Sequence, residues 1–153
     1  MNIRTAREDD IEAAINLAFE FEDYLDELES TPESERVPRE TVRRMFLEGF
    51  SDPKHVKLVV EEGEAIIGFS DIWVYPEFIH GGQTAYLNNF FITEKFRRRG
   101  IGSKLLKVTI EKARERDAVA LHISVLPENV MAQDFYRKNK ITYEIKMYDL
   151  RLR

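Results

Sequence analysis

The stretch Arg97-Arg98-Arg99-Gly100-Ile101-Gly102-Ser103 has the residue types and spacing to hold a phosphorylated small molecule. Gly100 and Gly102 lack a Cβ, so the backbone can turn tightly and bring its amides close to an anion. The helical pattern that follows adds the N–H groups of a first turn, where the helix dipole also favours negative charge. Arg97, Arg98 and Arg99 supply cationic forks suited to phosphate oxygens. Two familiar phosphate loops are excluded. A Walker loop needs a glycine where Arg97 stands and a lysine where Ser103 stands, and a dinucleotide fingerprint needs a third glycine where Leu105 stands.

What remains, Arg97-x-x-Gly100-x-Gly102, resembles motif A of the GNAT superfamily of N-acetyltransferases, and a second stretch downstream strengthens the likeness. Asn129-Val130-Met131-Ala132-Gln133-Asp134-Phe135-Tyr136-Arg137-Lys138 is similar to that family's Asn-x-x-Ala-x-x-Phe/Leu-Tyr-x-Lys signature. The resemblance implies an acetyl-coenzyme-A-dependent transfer of an acetyl group to a primary amine. It implies that the loop from Arg97 to Ser103 binds the coenzyme's pyrophosphate through backbone amides. It implies that the end of the preceding strand, Phe91, Ile92 and Thr93, contacts the thioester or pantetheine, that Asn129 helps hold the coenzyme, and that Tyr136 protonates the departing thiolate. A core aromatic beside Phe135 is the plain structural reading of Tyr136.

Such a transfer also needs a group to take a proton from the acceptor ammonium. Polyamine-type members carry an acidic pair where this chain has Asn88-Asn89, neither of which accepts a proton. A water chain, or a carboxylate such as Glu22, Asp71 or Glu94, is left for the task. Glu20, Glu22, Asp23, Asp26, Glu27 and Glu29 crowd the end of the first helical pattern, with Glu33 and Glu35 beyond. They form either a solvated helix face or a field that attracts a cationic amine. Without a base, a non-catalytic acyl-coenzyme-A-binding module is the alternative reading.

The elements that must position these residues follow from periodicity. Asn2 to Ala6 reads as a strand. Ile11, Ala14, Ile15, Ala18 and Phe19 share one helix face, and Val42, Met45 and Phe46 stripe a second helix that starts at Pro38 and stops at Gly49. Val56 to Val60, Ala65 to Tyr75 and Thr84 to Thr93 predict an antiparallel meander. Gly102 to Arg116 predicts a helix and Val119 to Val125 a strand returning in parallel. Asn129 is placed to cap the next helix, and Ile141 to Leu152 reads as one or two final strands. The resemblance implies an α/β architecture with a central mixed, mostly antiparallel sheet, helices on both faces and a splayed strand pair that admits the coenzyme. One domain over residues 1–153 is expected.

Composition narrows the class. Of 153 residues, 43% are hydrophobic and 33% charged, which fits a globular domain with no membrane-spanning run. The start, Met1-Asn2-Ile3-Arg4-Thr5, lacks the apolar stretch of a secretory signal, so a cytoplasmic location is expected. A net charge of −5 counts against nucleic acid as a partner, although basic residues cluster from Lys95 to Lys107. With no cysteine and with His55, His80 and His122 scattered along the chain, no metal site is expected. Trp73, Tyr75 and Phe78 either pack the sheet or line an acceptor pocket. An exposed final strand would invite a second copy, so a homodimer is expected.

Overall fold

A computed structural model describes residues 1–150 and 152. The chain divides into two compact units, Met1–Ile123 and the residues from Ser124 onward. The first unit holds β1 (Asn2–Thr5), α1 (Ile11–Glu29), α2 (Arg39–Ser51), β2 (His55–Glu62), β3 (Ala65–Glu77), β4 (Gly82–Ile92), α3 (Ile101–Arg114) and β5 (Ala118–Ile123). The second holds α4 (Val130–Lys138). Among the described residues, no helix is long and apolar enough to cross a membrane.

The five strands lie in chain order, antiparallel from β1 to β4 and parallel between β4 and β5. The parallel pair is joined through α3, as a crossover requires. Strand alternation sends successive side chains to opposite faces, and the register aligns Val59, Phe69 and Phe91 across three strands. Against them pack Ala14, Ile15, Leu17 and Ala18 of α1 and Phe46 of α2. The other face takes α3, which buries Leu105, Leu106 and Ala113 and bonds Thr109 to Ser70, oxygen to oxygen, at 2.8 Å.

Three expectations need correction. Gly49 does not end α2, which runs to Ser51. A Cβ at Gly49 would stand 3.2 Å from Lys57 Nζ, so the glycine gives the helix room beside β2. β5 stops at Ile123 rather than Val125. The final strand over Thr142 to Leu152 is absent from residues 142–150, and Arg151 lies outside the described residues. Its alternating Tyr143, Ile145 and Met147 remain 64–89% exposed, because a strand needs a neighbour to bond and a face to bury.

Candidate functional site

The site begins where β4 leaves β5. Asp71 of β3 pairs with Asn89 while Ile72 pairs with Leu87, so Asn88 is the extra residue of a β-bulge. Pairing of β4 with β5 ends at Leu87 and Ile123, just short of that bulge. Beyond it, Thr93 N–H donates to Ile67 O on β3 at 3.0 Å. Alternation of an antiparallel ladder then turns the N–H and C=O of Ile92 away from β3, toward the side that β5 has left. That orientation agrees with the Arg97 Nε–H bond to Ile92 O at 2.8 Å.

Arg97 is therefore engaged locally. Its guanidinium lies 5.1 Å from the Tyr24 ring centroid and 5.0 Å from that of Phe91, tying α1, β4 and the loop together. Thr93 Oγ1 donates to Glu20 Oε2 of α1 at 2.8 Å. Past the short turn Glu94–Phe96, Arg98 has φ 60° and Gly100 φ 75°, and the chain enters α3 at Ile101. Buried Ile101 anchors the turn from beneath. Lys104 N–H is bonded to Gly100 O at 3.2 Å, so the amides of Ile101, Gly102 and Ser103 precede the helical ladder. A Cβ built on Gly100 would meet nothing within 4 Å. The left-handed turn thus opens a cradle over the helix start, flanked by exposed Arg98 and Arg99. These features fit a diphosphate.

The three candidate carboxylates differ in circumstance. Asp71 is 2% exposed and lies between His55 Nδ1, which donates to Oδ1 at 2.9 Å, and Lys57 Nζ at 2.7 Å from Oδ2. Burial alone would raise its pKa, but the His55 hydrogen bond and the charge and hydrogen bond of Lys57 outweigh it and hold the carboxyl below its ordinary range. A carboxylate so occupied is a poor base. Glu22, half-buried on α1, is pushed the other way, first by burial and then by Asp26 and Asp23. Glu94 is exposed at the start of the loop turn. Within the acidic cluster, Asp23 accepts from Arg39 Nη2 at 2.6 Å and Asp26 lies 3.6 Å from Arg36 Nε, so part of its charge is already balanced.

In the second unit, Asn129 caps α4 as its position predicts, accepting from Ala132 N–H at 3.1 Å. Gln133 Nε2 holds the carbonyls of Leu126 and Pro127 at 3.2 and 2.8 Å. Tyr136 is buried beside Phe135, and burial pushes its phenol well up, so it keeps its proton across the neutral range.

Register also gathers groups that spacing along the chain did not reveal. Tyr75 stacks on Trp73 with centroids 4.8 Å apart, but Trp73 is exposed and Phe78 is 93% exposed, so Phe78 does not pack the sheet. His80 and His122, 42 residues apart in number, face each other with ring centroids at 5.1 Å. The visible signal was the shared parity of Tyr75 and Glu77 on β3, and parity alone could not say which strand lies beside them.

The family model of the acetyltransferase (GNAT) family matches residues 21–140. A thialysine N-epsilon-acetyltransferase of Bos taurus is 26% identical over 144 residues, covering 88% of this chain and 80% of that protein. A putative [ribosomal protein bS18]-alanine N-acetyltransferase of Bacillus subtilis (strain 168) is 25% identical over 126 residues, covering 82% and 78%. Among solved structures, aminoglycoside N-acetyltransferase AAC(6')-Iy in complex with CoA shares the fold, with a TM-score of 0.79 at 15% identity and coverage of 99% and 94%.

Proposed function

Because the chain belongs to the GNAT family of acetyltransferases and is an acetyl-coenzyme-A-dependent N-acetyltransferase, we propose that its acceptor is the primary amine of a cationic molecule. The observation that carries the place of acetyl transfer is the parting of β4 from β5 at the Asn88 bulge, ahead of a glycine-led helix start, and the acidic end of α1 is what favours a cationic acceptor. Bound acetyl-coenzyme A supplies a thioester carbonyl for the amine to attack. The amides of Ile101, Gly102 and Ser103, with Arg98 and Arg99, hold the diphosphate, while Arg97 fixes the loop to β4. The outward N–H of Ile92 orients the pantetheine arm. Glu22, whose carboxyl is pushed above its ordinary range first by burial and then by Asp26 and Asp23, takes the proton from the acceptor ammonium. Tyr136, which burial keeps protonated across the neutral range, gives its proton to the leaving sulfur. The acidic end of α1 draws the cation in. The relatives that act on thialysine and on a ribosomal-protein alanine support an amine acceptor.

The test is release of free coenzyme A thiol across a panel containing a diamino acid, a polyamine, an aminoglycoside and an alanine-terminated peptide. Turnover with at least one, reduced about 100-fold or more in Tyr136→Phe and in Glu22→Gln, is expected from general acid and base roles. Native kcat in Glu22→Gln rejects that base, and saturable binding of acetyl-coenzyme A with no turnover on any amine favours the binding-module reading.

The same reading includes a homodimer. Tyr143, Ile145, Met147, Tyr148, Leu150 and Leu152 are 64–91% exposed, an uncovered apolar run that supports pairing with a second copy. A light-scattering mass of one chain at micromolar concentration rejects it.

A further inference from the structure

Away from the β4 bulge, the first unit places two imidazoles and a carboxylate at one point. Tyr75 and Glu77 share a face of β3 by alternation, Thr84 lies opposite Tyr75 on β4, and His122 of β5 lies opposite Tyr86 on that same face. His80 reaches the cluster from the turn between β3 and β4. The ligating atoms of Glu77, His80 and His122 all lie within 4.8 Å of one another. His80 is exposed and the other two are half-buried, so an ion can reach them from solvent.

We propose that Glu77, His80 and His122 form a binding site for a divalent transition-metal ion, Zn²⁺ being the fitting species, that fastens the β3–β4 turn to β5. Two imidazole nitrogens and one carboxylate oxygen suit Zn²⁺ and its neighbours rather than Mg²⁺ or Ca²⁺, which favour all-oxygen sets. Three protein ligands leave a fourth position to water. His80 Nδ1 lies 2.5 Å from Glu77 Oε2, the nitrogen donating to the carboxylate oxygen. An ion replacing that proton needs its donors roughly 3.3 Å apart, given bonds of about 2.0–2.1 Å in a tetrahedral site. The position of His80 in an exposed turn permits that opening.

Outer contacts are already in place. Thr84 Oγ1 donates to Glu77 Oε2 at 2.9 Å and orients the carboxylate. Tyr75 Oη lies 3.4 Å from His122 Nδ1. With Nδ1–H donating to that oxygen, Nε2 keeps the lone pair that a cation needs. Thr84 is four residues from Asn88 along β4, on the order of 13 Å at strand rise, so this site is separate from the acetyl-transfer site.

The test is calorimetric titration of tag-free, chelator-stripped protein with ZnCl₂, repeated on Glu77→Gln, His80→Ala and His122→Ala, each checked for a native circular-dichroism spectrum. One ion per chain is expected, with affinity falling about tenfold or more in each variant. Zinc should raise the melting temperature of the native protein and leave that of His80→Ala unmoved; His80 is in an exposed turn, so this variant folds. Absence of saturable one-to-one binding overturns the proposal. So does binding that is unchanged in both histidine variants, or Mg²⁺ binding as tight as Zn²⁺.

Discussion

Gly68→Ala tests whether the placement of β4, and not only its presence, sets the rate. Gly68 pairs with Ile92 at a non-hydrogen-bonded position, where opposed residues come closest. A Cβ there would lie 2.4 Å from Ile92 Cδ1 and 2.8 Å from Phe91 O. The Ile92 methyl can rotate aside, but the carbonyl belongs to the strand and falls about 0.6 Å short of an ordinary 3.4 Å contact. β4 must retreat by roughly that distance at Ile92, whose outward N–H is the group proposed above to orient the pantetheine arm. Overpacking of this kind costs ~1–3 kcal/mol, or a melting-temperature fall of about 2–12 °C in a chain of this size. A 1 Å misplacement of reacting groups costs on the order of 100-fold in rate, so 0.6 Å predicts a drop in kcat/KM of roughly tenfold. The control is Gly63→Ala, which strains a φ of 63° in the β2–β3 turn with nothing within 4 Å of the new Cβ. It should lose ~1–2 kcal/mol and no activity. Coenzyme A release, measured well below either melting temperature, decides between them. Native kcat/KM in Gly68→Ala, or an equal loss in Gly63→Ala, refutes the reasoning.

Asp71→Asn leaves buried Lys57 without its counter-charge and should cost about 3–5 kcal/mol by urea unfolding at pH 7. The folded pKa of Asp71 is lowered, so its contribution is present above the unfolded carboxylate value of about 4 and is lost as pH falls through the lower folded value. The gap between native and Asp71→Asn urea midpoints should therefore narrow below pH ~4, and a constant gap down to pH ~2 would contradict the assignment. Arg97→Lys removes the fork that bonds Ile92 O between two rings; a loss of ~1–2 kcal/mol and weaker acetyl-coenzyme A binding by titration calorimetry are expected. Asn129→Ala should cost about 1 kcal/mol and speed hydrogen exchange at the Ala132 amide, since the cap accepts that N–H.

What could be read along the chain was what local backbone chemistry decides. The left-handed turn at Gly100, the start of α3 and the Asn129 cap all depend on a few successive residues, and their types announce them. The apolar stripe of α1 and the alternation of β2 to β4 were legible for the same reason. Gly49 shows the limit, because a helix-stop residue is overridden when its missing Cβ makes room for Lys57.

The remaining features are properties of register, which a single strand does not carry. Asn88 becomes a bulge only because Asp71 pairs with Asn89 and Ile72 with Leu87. Asp71 is disqualified as a base only because β2 lays Lys57 and His55 beside it. Arg97, read from composition as one of three phosphate forks, is claimed by Tyr24 of α1 and Phe91 of β4, which leaves Arg98 and Arg99 as the exposed cations. A one-residue slip of β4 would reverse every face beyond it and dissolve both the acyl-transfer geometry and the histidine cluster. Gly68, which admits the close approach of β3 to β4, therefore bears on specificity of register as well as on stability. Its conservative replacement should disturb catalysis by displacing β4, without removing any group that would meet the substrate.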